Sequence, residues 1–273
     1  ECQDLCISID DLFRYYFYIV KGVNANSDTS NRLRDYFVRN PKSPLLTHST
    51  SYTIKELKKL LEILQCLNDI SMSHHRVSIL IRILNYYTNQ YPRYAVVAYL
   101  YELGLQSIES DEFITFLISL IRYAYGSGST TAIKTEIFSI IRNISKNGII
   151  KDYYFTSDLD VLNPKRVFPL RRGMILLAFW LLNNNYTTEE TIEIDRIIPR
   201  KEITDEETLG NFILITGVKK RGNWNKRYEA YMTTCKSIIS KQIKDVALLP
   251  EELVKVRNND ITNILSKFFY NNE

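Results

Sequence analysis

For most of its length this chain repeats one pattern, apolar side chains at helical spacing followed by a short polar break. The pattern covers residues 9–21, 53–66, 76–88, 91–103, 110–125, 131–147 and 171–182. In the second of these, Ile54, Leu57, Leu60, Leu61 and Leu64 fall on one face, which predicts an amphipathic helix. Asp10 and Asp11 sit near the start of the first, where acidic groups suit a helix N-terminus. The breaks are polar: 24–31, then 43–51 with Pro44 and many hydroxyls, then Gly126-Ser127-Gly128-Ser129. Successive helices with short connections predict an all-α array. No fixed period of about 34 or 40 residues emerges, so a regular solenoid is not supported.

From Glu193 the pattern changes. Ile194-Asp195-Arg196-Ile197-Ile198-Pro199 reads as a short strand, followed by a charged loop with Glu202, Asp205, Glu206 and Glu207. Leu209-Gly210-Asn211-Phe212 opens a second, apolar strand over 211–216, and Lys219-Lys220-Arg221-Gly222-Asn223 follows. A helix is predicted over 226–239, and one or two closing helices over 250–269. The expected fold is mainly α: a helical domain over 1–185, then a small ββα module with closing C-terminal helices over 186–273.

Those motifs resemble the HNH, or ββα-metal, nuclease module. That family's first strand carries an acid and a histidine before two apolar residues and Pro. A Gly-Asn opens its second strand, and a second Asn precedes Arg-Gly. Placed on that frame, Asp195 matches the acid, Arg196 stands in the histidine slot, Asn211 matches the first Asn and Lys220 stands in the second. The order of helices, strand and Gly-Asn strand also resembles the C-terminal half of GmrSD-type proteins. These are modification-dependent (type IV) restriction and phage-defence factors. The resemblance is specific over 192–228 and only architectural before it. The family's N-terminal nucleotidase region carries an Asp-Gly-Gln-Gln-Arg motif, which this sequence lacks. The chain opens on Glu-Cys-Gln-Asp, so it is expected to be a fragment of a longer protein or to work with a partner subunit.

The resemblance implies an endonuclease site with Asp195 and Asn211 as catalytic residues around a hard divalent ion, Mg2+ or Mn2+, that takes oxygen ligands. Asn223, or Asn225 in a shifted register, would join Asp195 as a metal ligand in place of the missing Asn. The two departures weaken that chemistry. Arginine is always protonated and has no acceptor lone pair, so Arg196 cannot act as general base. Lys220 sets a positive charge where a ligand is expected. Losing the base alone costs on the order of 10² to 10⁴ in rate.

The net charge of +4 is too small to imply nucleic acid by itself, so the distribution must carry that inference. Lys219, Lys220, Arg221, Lys226 and Arg227 occur with no acid among them, interleaved with Trp224 and Tyr228. A solvated face is the ordinary reading of such a run. A DNA-phosphate surface is the reading its place in the module favours. Lys165, Arg166, Arg171 and Arg172 form a second basic cluster. Trp180 and Trp224 read as packing residues, and the adjacent His74 and His75 point different ways on a helix, which argues against a metal pair there.

Cys2, Cys6, Cys66 and Cys235 show neither CxxC nor zinc-ribbon spacing, which fits free thiols in a reducing, cytoplasmic setting. No apolar run approaches the ~20 residues of a membrane span. The expected function is a DNA-interacting component of a restriction or phage-defence system, with cleavage impaired. One rival is an active metal-dependent endonuclease using Asp195, Asn211 and a displaced group such as Glu193 or Asn223. Another is a non-catalytic adaptor subunit.

Overall fold

A computed structural model describes residues 7–20, 33, 35–39, 41, 43–126, 130–147, 162–183, 186–203, 207–244 and 248–270. Among the described residues there are eleven α-helices and one two-stranded antiparallel sheet, so the mainly α class is correct. The polar break at 24–31, the Ser127–Ser129 part of the glycine-serine connector, Asp205, Glu206, Cys2 and Cys6 lie outside the described residues.

The chain forms two compact units, Glu1–Ile70 with Asn89–Tyr154, and Ser71–Thr88 with Phe155–Glu273. This division differs from a boundary at 185/186, because residues 71–88 are tied to the segment that leads into the first strand. Arg82 donates to the carbonyls of Thr188 (2.6 Å), Glu190 (2.8 Å) and Ser71, and Tyr86 Oη donates to that of Ile192 (3.1 Å).

The first unit is helical throughout its described part. Ser8 caps α1 (Ile9–Tyr15), its hydroxyl accepting from the Asp11 amide. A π-helical turn over Tyr16–Val20 extends it and buries Tyr16, Phe17, Tyr18 and Ile19. After the short α2 (Pro44–Thr47), α3 (Thr50–Ser71) turns Leu60, Ile63, Leu64 and Leu67 into the core. The predicted stripe holds from Leu60 onward, whereas Ile54 is exposed. In this unit α5 (Tyr91–Leu103) packs against α6 (Asp111–Gly126) and α7 (Thr130–Asn147), with Tyr99 stacked on Phe116 at 4.7 Å.

In the second unit α4 (Ser78–Asn85) packs on α8 (Pro164–Leu182). The latter starts seven residues before the expected 171, with Pro164 at its first position, where a missing N–H costs nothing, and Pro169 inside it. Strand β1 (Ile192–Arg196) pairs antiparallel with β2 (Phe212–Thr216), Asp195 opposite Ile213 and Arg196 opposite Phe212. All five residues of β2 are buried, since α8 and α10 (Lys236–Gln242) both pack on it. That explains a continuous apolar run in place of alternation. Its free edge is closed by a side chain: Gln242 accepts from the Leu214 amide and donates to the Leu214 carbonyl, each at 2.8 Å.

Helix α9 (Trp224–Thr234) follows, and the single helix expected over 226–239 breaks at Cys235. There Thr233 and Thr234 bond back to the carbonyls of Glu229 and Ala230, a competition that weakens a helix end. The closing helix is α11 (Pro250–Tyr270). Among the described residues, no helix is long and apolar enough to cross a membrane.

Candidate functional site

The strand–strand–helix segment brings Asp195, Arg196 and Asn211 to one end of the hairpin but divides their side chains between two networks. Asp195 points to α9. Its Oδ2 accepts from Arg227 Nη1 at 2.6 Å and from Tyr231 Oη at 2.7 Å. Arg227 and Tyr231 are four residues apart, which places them on one face of the helix. Trp224, three residues before Arg227, is buried on the same stripe. Arg227 also donates from Nη1 to the Arg196 carbonyl (2.5 Å), from Nη2 to that of Ile197 (2.6 Å) and from Nε to that of Gly222 (3.1 Å). The side chain is 5% exposed, and all three guanidinium nitrogens are engaged.

Arg196 takes the other side of the strand. Its fork meets Glu207, Nε to Oε1 at 2.5 Å and Nη2 to Oε2 at 3.3 Å, with the guanidinium carbon 5.1 Å from the Phe212 ring centre. Asn211 is 2% exposed and acts as an extra rung of the ladder. Its Oδ1 accepts from the Ile198 amide (2.7 Å), and its Nδ2 donates to the Ile198 carbonyl (3.0 Å) and to Glu207 Oε1 (3.1 Å). Arg196 and Asn211 therefore meet over Glu207, while Asp195 belongs to a separate network. Gly210, ahead of Asn211, is fixed by packing. A Cβ there would collide with the Val254 carbonyl of α11 and sit 2.6 Å from the Asn258 amide.

The two residues expected to hold a metal, Asp195 and Asn223, both have other partners. Asn223 is the N-cap of α9, its Oδ1 accepting from the Lys226 amide at 3.1 Å, and Asn225 is exposed on the first turn. Glu193 pairs with Arg172 at 2.9 Å. Among the described residues no group of three or more His, Cys, Asp and Glu side chains is placed to hold a metal ion. The residues do not fit a divalent ion, because the carboxylate that would lead its shell already holds an arginine and a phenol. His74 lies near Thr187 (3.4 Å) and Glu189 (3.9 Å), and His75 Nδ1 accepts from the Val77 amide, so the two histidines face different partners.

Of the basic run, Lys219, Arg221 and Lys226 are exposed and Lys220 is half-buried. Arg227 departs from the expectation of a DNA contact: it is 4% exposed and turned inward. In the second cluster Arg171 donates to the Phe168 carbonyl and Arg172 to the Ile192 carbonyl and Glu193, while the side chains of Lys165 and Arg166 lie outside the described residues.

Sequence reasoning named Arg227 only as a DNA contact, and it missed Tyr231 and then Glu207 as site residues. For the first two a signal existed: Trp224, Arg227 and Tyr231 follow helical spacing, which assigns Arg227 to the buried face. Tyr231 links the network to the basic loop, since its Oη also accepts from the Lys220 amide at 2.9 Å. Burial first, and Asp195's charge with it, raises the Tyr231 pKa to about 12, so the phenol keeps its proton. Gly222, at φ 112°, turns the chain from Arg221 into the Asn223 cap and offers its carbonyl to Arg227. Compared with family models, curated proteins and solved structures, the chain shows no match.

Proposed function

We propose that this chain is a DNA-interacting component of a restriction or phage-defence system. On this reading its HNH-like frame has exchanged a metal centre for an internal ion pair. The observation that carries it is a division within one basic run. Arg227 turns inward to Asp195, while Lys219, Arg221 and Lys226 stay in solvent. The inward arginine fills the charge role of a cation at the acid of the motif. The outward residues keep the part of the frame suited to phosphate.

The same network steadies the loop that carries them. Lys220's amide is held by Tyr231 and Gly222's carbonyl by Arg227, and both anchors rest on Asp195. A loop fixed at both ends presents its cations with less ordering cost on binding. The resemblance to GmrSD-type proteins supports the defence setting and a partner subunit or nucleotidase region acting with this chain. The order of strand, Gly-Asn strand and helix agrees with that resemblance.

Salt-dependent binding to duplex DNA tests the proposal. Lys219→Glu, Lys220→Glu and Arg221→Glu together should weaken binding by a similar factor for all sequences, because phosphate contacts carry no base information. For every phosphate that is no longer neutralised, the log–log salt slope should become shallower by roughly 0.9. Unchanged affinity at low salt would overturn the DNA reading in favour of the adaptor.

A further inference from the structure

The second unit holds a cavity that the nucleic-acid reading leaves unused. It lies among α8, α10 and α11 and has a volume of about 150 Å3. Ile175, Phe179, Leu253 and Ile261 wall it, all of them buried. A pocket of this volume with one apolar wall admits a body of about six carbons.

One end is cationic. Arg257 lines it with Lys241 and Lys244, and Asp260 is the one acid among the described lining residues. Arg257 is 8% exposed. It donates once from each nitrogen, to the carbonyls of Gln242 (2.6 Å), Phe212 (2.7 Å) and Gly210 (3.2 Å). A guanidinium has five N–H groups, so these three bonds leave two for another acceptor. None of its partners is a carboxylate. Burial pulls its pKa down to about 10, with Asp260's charge opposing the shift, as befits a cation lacking a close anion. Lys241 likewise rests on a ring, its Nζ 4.6 Å from the centre of Tyr186.

We propose that this cavity binds a small monocarboxylate with an apolar body of about six carbons. The carboxylate lies at the Arg257 end near Lys241 and Lys244, and the body lies among Ile175, Phe179, Leu253 and Ile261. A guanidinium fork matches a planar carboxylate, and the apolar walls give an anion with an apolar body contacts that a fully polar anion lacks.

Calorimetric titration of the full chain with benzoate and hexanoate tests this, with benzyl alcohol, hexanol and acetate beside them. Both acids should bind saturably at roughly millimolar concentration or tighter. The alcohols, which lack the charge, and acetate, which lacks the body, should each bind about tenfold or more weakly. Arg257 variants risk unfolding because the side chain holds three carbonyls, so two other changes probe the site. Lys241→Glu with Lys244→Glu, both exposed, should weaken the acids about tenfold. Val256→Trp at the exposed rim should block entry while the circular dichroism spectrum stays unchanged. Three results would each overturn the proposal: no saturable binding of either acid, equal binding of acid and alcohol or of acetate, or indifference to charge reversal.

Discussion

Arg227 and Asp195 form an ion pair at 2.6 Å in which the cation is 5% exposed and the anion 16%. Such a pair adds little over a well-packed apolar pair, yet losing one half is costly because the other stays buried and uncompensated. Arg227 also serves the carbonyls of Arg196, Ile197 and Gly222. Arg227→Met is therefore expected to destabilise the second unit by about 3–5 kcal/mol. Arg227→Lys should recover only part of this, since an ammonium cannot span the same acceptors. Both tryptophans, Trp180 and Trp224, belong to this unit, so urea unfolding followed by their fluorescence reads it directly. A loss below about 1 kcal/mol, an ordinary surface effect, would show that the pair is not structural.

Asn211 invites a parallel test. Asn211→Ala would leave both the amide and the carbonyl of Ile198 without their side-chain partner. At about 1–3 kcal/mol for each unmade bond, a loss of roughly 2–6 kcal/mol is expected. Asn211→Ser, too short to reach both groups, should not rescue it. Gly210→Ala meets α11 head-on and should cost about 1–3 kcal/mol by overpacking. If Gly210→Ala were neutral in the same urea assay, the close approach of α11 would be wrong.

Periodicity made the helices legible, since segments such as 91–103 carry their own apolar pattern. The antiparallel pair was legible too, although β1 runs over Ile192–Arg196, two residues ahead of the expected start at Ile194. What the local pattern could not carry was long-range pairing. Arg82 ties residues 71–88 to the segment ahead of β1 through carbonyls more than 100 positions away, and no composition rule identifies an arginine destined for carbonyls. The inward turn of Arg227 was hidden for another reason. Grouping it with neighbours in sequence obscured its neighbours on the helix, Trp224 and Tyr231. Asn211 was expected as a catalytic residue, and its amide bonds instead to the backbone of Ile198.

Tyr231 makes the fold sensitive to alkali. Its phenol titrates near 10 when unfolded and at about 12 when folded, so the folded state holds the proton more tightly. The stability that this supplies is complete below pH 10 and is lost as the pH rises from 10 toward 12. Tyr231→Phe should be less stable than the natural protein at pH 8, having lost the bonds to Asp195 and to the Lys220 amide. The gap should then narrow at pH 11. A constant gap across that range would mean that the proton is not what the network depends on.

Placing a histidine at 196, where the proposed HNH-like frame would carry one, is the sharpest test of metal chemistry at this site. A missing base would by itself explain a loss on the order of 10² to 10⁴ in rate, and Arg196→His would then recover Mg2+- or Mn2+-dependent nicking. The geometry argues otherwise. With His at 196, Asp195 is still held by Arg227 and Tyr231, Asn211 is still spent on Ile198, and Glu207 loses its fork. Arg196→His is therefore expected to leave nicking of supercoiled plasmid at background with either ion, and adding Lys220→Asn should not change this. Gain of cleavage in the single variant would mean that Asp195 exchanges Arg227 for a metal readily. Cleavage by the natural protein that Asp195→Ala abolishes would establish an active nuclease and overturn the ion-pair reading.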